Sequence, residues 1–209
     1  MRIDSVSPKA DRTGQYYLTL SDGSKLRVYP QTMAEFSLYE GRELSEEELK
    51  QLRTAMGAMS AKMRAVRIVS ASSVSARDLE DRLRRKGETK EDAKAAVSWM
   101  QDLSFVDDLE TARQVVRRGI AKGYGKARLR QMLYEKRIPK NLWEEAMEDI
   151  PEPDEAILSF LDSRLGENPD EKELKKTIDA LLRRGHAWQD IRRCLAVRGE
   201  SMEHEPEEF

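Results

Sequence analysis

Ten lysine and arginine residues lie between positions 111 and 140, where Glu135 is the only acidic residue. This stretch carries a formal charge of +9 in a chain whose net charge is −2. Cations concentrated in this way attract anionic partners, which include phosphate groups and acidic protein surfaces. The candidate partner-binding residues are the seven around the segment 123–125: Arg113, Arg117, Arg118, Lys122, Lys126, Arg128 and Arg130.

Groups suited to catalysis are few and do not form a reactive set. The chain has two histidines, His186 and His204, and one cysteine, Cys194, and their spacing matches no metal-ligand motif. Asp107 and Asp108 are adjacent, so they point to different sides of a helix start, which favours capping over acid–base chemistry. We therefore predict a non-enzymatic protein with no catalytic residues, no metal site and no bound cofactor.

The glycine-rich segment 119–126 has a superficial similarity to a phosphate-binding loop. Its spacing is one residue too long for that motif, Ala127 stands where a hydroxyl is required, and no predicted strand precedes it. Nucleotide binding at this segment is therefore excluded.

Two predicted helices position the basic residues. Asp107 is placed to cap a helix that starts at Asp108, with Glu110 as a capping-box partner. Gly123 ends this helix, and a second helix starts near Lys126. The apolar face of the first helix comprises Leu109, Ala112, Val115, Val116 and Ile120.

Arg113 and Arg117 are one helical turn apart and share a face that points away from these apolar residues. We expect both guanidinium groups to be free for a partner. The following segment has the opposite charge, because residues 141–176 contain twelve acidic and four basic residues. Such a polarised layout favours an oriented encounter with a charged partner.

A series of motif elements occurs in order along the basic stretch: the Asp107-Asp108 pair, Ala112, the Val115-Val116-Arg117 run, Gly123-Tyr124-Gly125, and Leu133 ahead of Lys136 and Ile138. In these elements the chain resembles the RecX family of RecA regulators. The resemblance covers residues 64–198 and is densest between 103 and 133. Two departures are Arg137, where the family pattern usually has glycine, and Ser73, where it usually has arginine.

The resemblance implies a regulator that inserts into the helical groove of the RecA filament and modulates its ATPase and strand-exchange activities, with inhibition as the implied sign. The setting would be DNA repair, recombination and the SOS response. We expect a monomer that binds RecA as its protein partner and has no membrane association. Weak contact between the basic stretch and DNA phosphates is an open alternative.

Composition favours a mostly helical protein. Charged residues make up 36% of the 209 residues and aromatic residues 6%, which suits helices with large solvated faces. The single cysteine fits a reducing compartment. No apolar run reaches the roughly 18 residues of a membrane-spanning helix, and the start of the chain lacks the apolar core of a signal peptide. We expect a cytoplasmic protein.

The N-terminal region predicts a small β element. Residues 15–20 and 25–29 alternate between apolar and polar, and Asp22-Gly23 between them is a strong signal for a two-residue hairpin turn, because such turns need positive φ at their centre. Residues 2–6 predict a further strand. A lone hairpin is only marginally stable in water, so it must pack on the following helices.

A short helix is predicted over residues 32–39, and Ser45 with Glu48 predicts a capping box that opens a long helix. The methionines of the long helix are interpreted as core filler. Its apolar seam is predicted at Leu49, Leu52, Met56, Met59, Met63 and Val66.

Three blocks of related sequence recur at offsets of 50 and 48 residues, at positions 83–87, 133–137 and 181–185. Each begins with leucine, and the last positions are Gly87, Arg137 and Gly185. This spacing predicts tandem three-helix repeats, three units in all. Ser75 and Thr89 are expected helix caps in the first repeat. In the later repeats we expect helix starts near Pro139 and at a cap on Asn168, and Trp99, Trp143 and Trp188 as packing residues.

The predicted domain organisation has five parts. Residues 1–44 hold the β-hairpin and short helix, 45–104 the first repeat with its long leading helix, 105–150 the basic second repeat, 151–199 the third repeat, and 200–209 an acidic disordered tail. Two alternative functions stay open beside the RecA regulator: a non-specific nucleic-acid-binding helical module, and a helical scaffold for another protein.

Overall fold

The computed structural model describes residues 1–8 and 14–200 of the chain. Within these ranges it contains ten α-helices, one 3-10 helix and three strands, which confirms the expected mostly α fold with a small N-terminal sheet. The chain divides into two compact units, Met1–Val106 and Asp107–Phe209. No helix in the described ranges has the length and apolar character needed to cross a bilayer. The predicted acidic tail lies outside the described residues from position 201 onward.

The sheet of the first compact unit is antiparallel, with strand order β1-β2-β3. Its strands are β1 Ile3–Pro8, β2 Tyr16–Leu20 and β3 Lys25–Val28. The predicted hairpin is confirmed, but the expected two-residue turn at Asp22-Gly23 is not formed. The Leu20 amide donates to the Ser24 carbonyl at 2.9 Å, so the loop has three residues, 21–23, and of these Gly23 has the positive φ, +80°. The Asp22 carboxylate accepts a hydrogen bond of 2.9 Å from the Ser24 amide. The sheet buries Ile3, Leu18, Leu20 and Val28 completely.

Two helices follow the sheet. α1 spans Pro30–Glu35, so it is shorter and begins earlier than the helix predicted over residues 32–39. The proline fits the start because its fixed φ suits a first turn. α2 spans Glu46–Ala71 and begins with the predicted capping box, in which the Ser45 hydroxyl accepts from the Glu48 amide at 3.1 Å and the Glu48 carboxylate accepts from the Ser45 amide at 2.8 Å.

The two ends of α2 pack against different cores. Leu52 joins the core under the sheet, whereas Ala61 and Ala65 join a core with α3 Ala76–Arg85 and α4 Lys90–Asp102. The predicted apolar seam is confirmed at Leu49, Leu52, Met56 and Val66, which belong to these cores or pack against them. It is wrong in the middle of the helix, where Ala61 and Ala65 are fully buried and Met59 and Met63 are only half-buried. Small side chains allow the close approach of helices. We call the α2–α4 group the first bundle.

Each helix of the first bundle has the expected cap. The Ser75 hydroxyl accepts from the Asp78 amide, and the Thr89 hydroxyl accepts from the Asp92 amide, both at 3.1 Å. These bonds satisfy amides that have no partner inside a helix.

The second bundle contains α5 Asp108–Ile120, α6 Lys126–Glu135, a 3-10 helix at Lys140–Leu142 and α7 Trp143–Ala146. The helix expected near Pro139 is thus a 3-10 turn followed by one α-turn. The third bundle contains α8 Asp154–Arg164, α9 Glu171–Arg183 and α10 Trp188–Val197. The cap of α9 is Asp170 in a capping box with Glu173, so the prediction of Asn168 is wrong.

Each bundle has its own hydrophobic core. Trp99, Trp143 and Trp188 pack against the cores of the first, second and third bundle respectively, which confirms their interpretation as packing residues. The proposed repeat boundaries at 45–104, 105–150 and 151–199 stay predictions.

One turn geometry recurs at the end of the predicted sequence blocks. Gly87, Arg137 and Gly185 have φ values of +91°, +57° and +84°. In each turn, the amide of the residue with positive φ donates to a carbonyl in the last turn of the helix. The amide of the following residue donates to the carbonyl of the leucine that begins the block, which is Leu83, Leu133 or Leu181. This is the Schellman ending, which places a residue with positive φ after the helix. Glycine adopts that conformation without strain, whereas arginine does not.

Arg137→Gly is therefore expected to stabilise the second compact unit by up to about 1 kcal/mol. The gain from relieving a left-handed conformation, about 1–2 kcal/mol, exceeds the entropy that glycine adds to the unfolded chain, about 0.4–1 kcal/mol. Urea unfolding followed by circular dichroism measures the effect. Arg137→Ala is the control, because it removes the same side chain and keeps the strain. Equal stability of the two variants would contradict the backbone explanation.

Candidate partner-binding surface

The cap of α5 is the predicted one, but its capping box is not formed. The Asp107 carboxylate accepts from the amides of Leu109 at 2.8 Å and Glu110 at 3.0 Å. The Glu110 carboxylate instead accepts from Arg117 at 2.7 Å and from Gln114 at 3.3 Å. These hydrogen bonds, with Arg117 the larger cause, hold the pKa of Glu110 below its ordinary value.

Four of the seven candidate cations are in ion pairs, so the expectation that Arg113 and Arg117 are free is wrong. The longest of these ion pairs joins Arg128 and Glu135, at 3.5 Å. All these pairs lie at the surface, where an ion pair contributes only about 0–1 kcal/mol and exchanges readily for another partner. The remaining pairs are Arg113–Glu145 at 3.0 Å, Arg117–Glu110 at 2.7 Å and Arg130–Glu144 at 3.2 Å.

The other three candidates, Arg118, Lys122 and Lys126, are exposed, and their side chains have no hydrogen bond or ion pair with the residues that the structure describes. Arg118 is in the last turn of α5, where a cation complements the helix dipole. Lys126 opens α6, where a cation opposes the dipole and the first turn has no acidic residue. A lysine at position 126 therefore does not stabilise α6.

The turn between these cations is fixed by backbone contacts with the third bundle. The Gly125 amide donates to the Arg184 carbonyl at 2.9 Å, and the Ala127 amide donates to the Gly185 carbonyl at 3.2 Å. A Cβ atom at Gly125 would lie 2.2 Å from the Gly185 carbonyl oxygen, and one at Gly185 would lie 2.3 Å from the Arg128 amide nitrogen. Both positions therefore require glycine.

Arg184 reinforces this junction from the third bundle. One of its guanidinium nitrogens donates to the Lys122 carbonyl at 2.7 Å. The same group lies 5.8 Å from the centre of the Tyr124 ring and 4.6 Å from that of Phe160, within the range of cation–π attraction. The position of Lys122 is thus set by a residue 62 positions away.

His186 is buried, with 6% of its surface exposed, and its Nε2 lies 3.0 Å from the Gly123 carbonyl oxygen. Since a carbonyl only accepts, Nε2 carries the proton in the neutral ring, and Nδ1 is the unprotonated nitrogen. Nδ1 has no hydrogen-bond partner within the described residues. Burial, the largest cause, lowers the pKa of His186 from its ordinary 6.5; Arg184 lowers it further, while the Gly123 bond and Asp190 oppose the shift.

The lowered pKa of His186 predicts a loss of stability in mild acid. The unfolded chain takes up the proton first as pH falls, so the contribution is complete above about pH 6.5 and decreases as pH falls toward the folded pKa. Urea unfolding at about pH 7.5 and about pH 5.5 measures the loss, which is bounded by about 1.4 kcal/mol per pH unit per proton. His186→Gln keeps a donor for Gly123 and should reduce the pH dependence. An unchanged profile in this variant would exclude His186 as its source.

A cleft of about 400 Å³ opens beside the junction. Lys126 and Arg130 line it from the second bundle, and His186 and Asp190 line it from the third. The unpaired cation Lys126 therefore borders a concave surface. Among the residues that the structure describes, no three His, Cys, Asp or Glu side chains are grouped to hold a metal ion.

The residues that position the turn, Arg184 and His186, were not predicted as part of this surface. The only sequence signal was the repeat alignment, which makes Gly185 the last position of a block but does not indicate that this residue contacts another turn. Hydrogen bonds across about 60 residues have no signature in local spacing.

Residues 107–147 match the family model described as the second three-helix domain of RecX. Regulatory protein RecX of Vibrio parahaemolyticus is 28% identical over 145 residues, which cover 68% of this chain and 94% of that protein. The RecX protein of Vibrio campbellii has the same identity and coverage.

Two solved structures share the fold. The crystal structure of a regulatory protein RecX aligns with a TM-score of 0.68 at 20% identity, covering 93% of this chain and 98% of that chain. The structure of RecX from Lactobacillus salivarius aligns with a TM-score of 0.63 at 17% identity, covering 69% of this chain and 98% of that chain.

Proposed function

This chain belongs to the RecX family, and we propose on this basis that it is a non-enzymatic regulator of the RecA recombinase. It binds the RecA filament as a monomer and lowers its ATPase and strand-exchange activities. The proposed setting is DNA repair and recombination in the cytoplasm.

The observation that carries this proposal is the set of exposed, unpaired cations on a rigid turn. Arg118, Lys122 and Lys126 surround a backbone that is held by hydrogen bonds to the third bundle. A preformed surface loses little conformational entropy on binding, because its backbone is already ordered. Charges on such a surface favour a specific orientation of the partner.

The ion-paired cations can supplement this surface. Arg113 and Arg130 are about half exposed, and their partners Glu145 and Glu144 belong to the short acidic segment at α7. A stronger anionic partner can replace these weak pairs, since each is exposed to solvent. The proposed contact surface is therefore the full set of seven cations, with the three unpaired ones at its centre.

The test is DNA-dependent ATP hydrolysis by RecA filaments in the presence and absence of this protein. We expect the protein to decrease the rate of ATP hydrolysis in a concentration-dependent way and to co-sediment with the filaments. Absence of both effects over a range of salt concentrations would contradict it.

Sequence-specific reading of duplex DNA by the second bundle is not favoured. A recognition helix must be long enough for the major groove and basic on its exposed face. α7 has four residues and contains Glu144 and Glu145, which lie against Arg130 and Arg113.

A further inference from the structure

The first compact unit contains a basic groove that is separate from the surface described above. It has a volume of about 950 Å³ and is bordered by strand β3, helix α2 and the end of helix α3. Among the described residues that line it, Glu88 is the only acidic one. The lining cations are Lys25, Arg27, Arg53, Arg64, Arg67, Arg82 and Lys86.

The charge is concentrated in the groove. The lining residues that the structure describes have a formal charge of +6, whereas the sequence of residues 1–106 contains 18 basic and 16 acidic residues and has a net charge of +2. Four of the lining cations, Lys25, Arg27, Arg67 and Lys86, are exposed, and their side chains have no hydrogen bond or ion pair with the described part of the chain. A concave surface lined by one sign of charge focuses the electrostatic field toward its interior.

Glu88 organises the groove wall and does not neutralise its free cations. Its side chain is 8% exposed, and its carboxylate accepts from Arg64 at 2.6 Å and from the Ser60 hydroxyl at 2.9 Å. Arg64 also donates to the Lys86 carbonyl at 2.9 Å. The network fixes Arg64 and the turn that carries Lys86, while the Lys86 ammonium stays exposed.

The form of the groove favours an extended polyanion. Its cations come from three separate elements and are spread along the walls, whereas a site for a small anion gathers them at one point. The apolar part of the lining includes Leu26, Met56 and Ile68, and the lining aromatic ring, Tyr29, is 6% exposed. The described lining therefore offers no exposed ring on which a base could stack. Its exposed cations can contact phosphates.

Two other occupants fit less well. The volume of about 950 Å³ is that of a small-molecule site, so the groove can hold a short stretch of a flexible single strand but not a whole duplex. β3 is an edge strand of four residues, which suggests pairing with a peptide. Lys25 and Arg27 lie on that strand, and charged residues on an edge discourage such pairing.

We propose that this groove binds the phosphate backbone of single-stranded nucleic acid without base specificity. The binding does not depend on the proposed contact with RecA, because it uses the other compact unit and a different set of cations. The proposed function can therefore fail while this inference stands, and the reverse also holds.

The experiment measures fluorescence anisotropy of a labelled oligothymidylate of about 16 nucleotides. The full-length protein is compared with the variant Lys25→Gln/Arg27→Gln/Arg67→Gln. The matched control is Arg77→Gln/Lys90→Gln/Lys94→Gln, which removes the same charge from exposed positions of the same compact unit outside the groove. Circular dichroism checks that all three proteins are equally helical, and Lys86→Gln provides a separate single variant.

We expect the groove variant to bind the oligonucleotide at least about tenfold more weakly. The slope of log K against log salt should decrease in magnitude by about 2, since each lost phosphate contact contributes about 0.7 on a single strand. Lys86→Gln should decrease the magnitude of this slope by about 0.7. The control variant should have the same affinity and the same slope as the unaltered protein.

Four results would overturn the proposal. Equal losses in the groove variant and its control would indicate a general charge effect. Undiminished binding by the groove variant would place any nucleic-acid contact elsewhere. Equal or tighter binding of a duplex of the same length would exclude a groove selective for a single strand. Absence of oligonucleotide binding by the unaltered protein also overturns it and leaves an acidic protein segment as the occupant to test.

Discussion

A protein with Arg118→Glu, Lys122→Glu and Lys126→Glu is expected to bind RecA filaments at least about a hundredfold more weakly and to lose its effect on their ATP hydrolysis. Three reversals on one surface replace attraction by repulsion, and loss of a well-placed interface charge pair is worth about 1.5 kcal/mol or more. All three residues are exposed and unpaired among the described residues, so folding should be little affected. Arg117 is left unchanged because reversing it would place a carboxylate beside Glu110.

The matched control reverses Lys172, Lys175 and Lys176, which are exposed on α9 of the same compact unit. It gives the same change in net charge at a different place. Filament co-sedimentation and ATPase assays on both variants, with melting curves to verify folding, separate local from general electrostatics. Full activity of the first variant would show that these cations form an ordinary solvated surface. Equal loss in both variants would show that only the total charge matters.

Gly185→Ala is expected to destabilise the second compact unit by about 3 kcal/mol or more. A left-handed conformation costs alanine about 1–2 kcal/mol, and overpacking adds about 1–3 kcal/mol. Both terms apply, since Gly185 has a φ of +84° and its Cβ would lie 2.3 Å from the Arg128 amide nitrogen. Gly125→Ala should be destabilising through overlap alone, because Gly125 has a φ of −78° and its Cβ would lie 2.2 Å from the Gly185 carbonyl oxygen.

Gly87→Ala is the control for the backbone term. Gly87 has the same turn position in the first bundle and a φ of +91°, but a Cβ there would meet no atom of the described residues within 4 Å. Its cost should be limited to about 1–2 kcal/mol. Urea unfolding of the three variants, followed by circular dichroism, gives the comparison. If Gly185→Ala were no more destabilising than Gly87→Ala, the close contact between the two bundles would not exist in solution.

Features encoded by neighbouring residues could be predicted from the sequence. The caps at Ser45, Ser75, Thr89 and Asp107 depend on a side chain and an amide two or three residues away, and all four are present. The hairpin around Asp22-Gly23 was also predicted, although its loop has three residues and not two. The similar spacing of the blocks also indicated three equivalent turns, whose geometry recurs.

Local rules failed where two residues competed for one role. Asn168 and Asp170 are both good caps with an acidic residue three positions later, and the chain uses Asp170. Glu110 was expected to bond to the backbone, but the charged Arg117 offers a stronger partner. The ion pair of Arg113 was not predictable in this way, since Glu145 is 32 residues away. The basic groove was missed for the same reason, because its cations are distributed from Lys25 to Lys86.

The backbone bonds from α6 to the third bundle have a consequence for the order in which the chain folds. α6 begins after Gly125 without a side-chain cap, and the amide of Ala127 is satisfied by the Gly185 carbonyl. A ribosome must add the 58 residues that follow Ala127, up to and including Gly185, before this carbonyl exists. At about 5–20 residues per second, α6 therefore waits on the order of 3–12 s for its cap. During translation, the amides of Gly125 and Ala127 therefore have only water as a partner until the third bundle emerges.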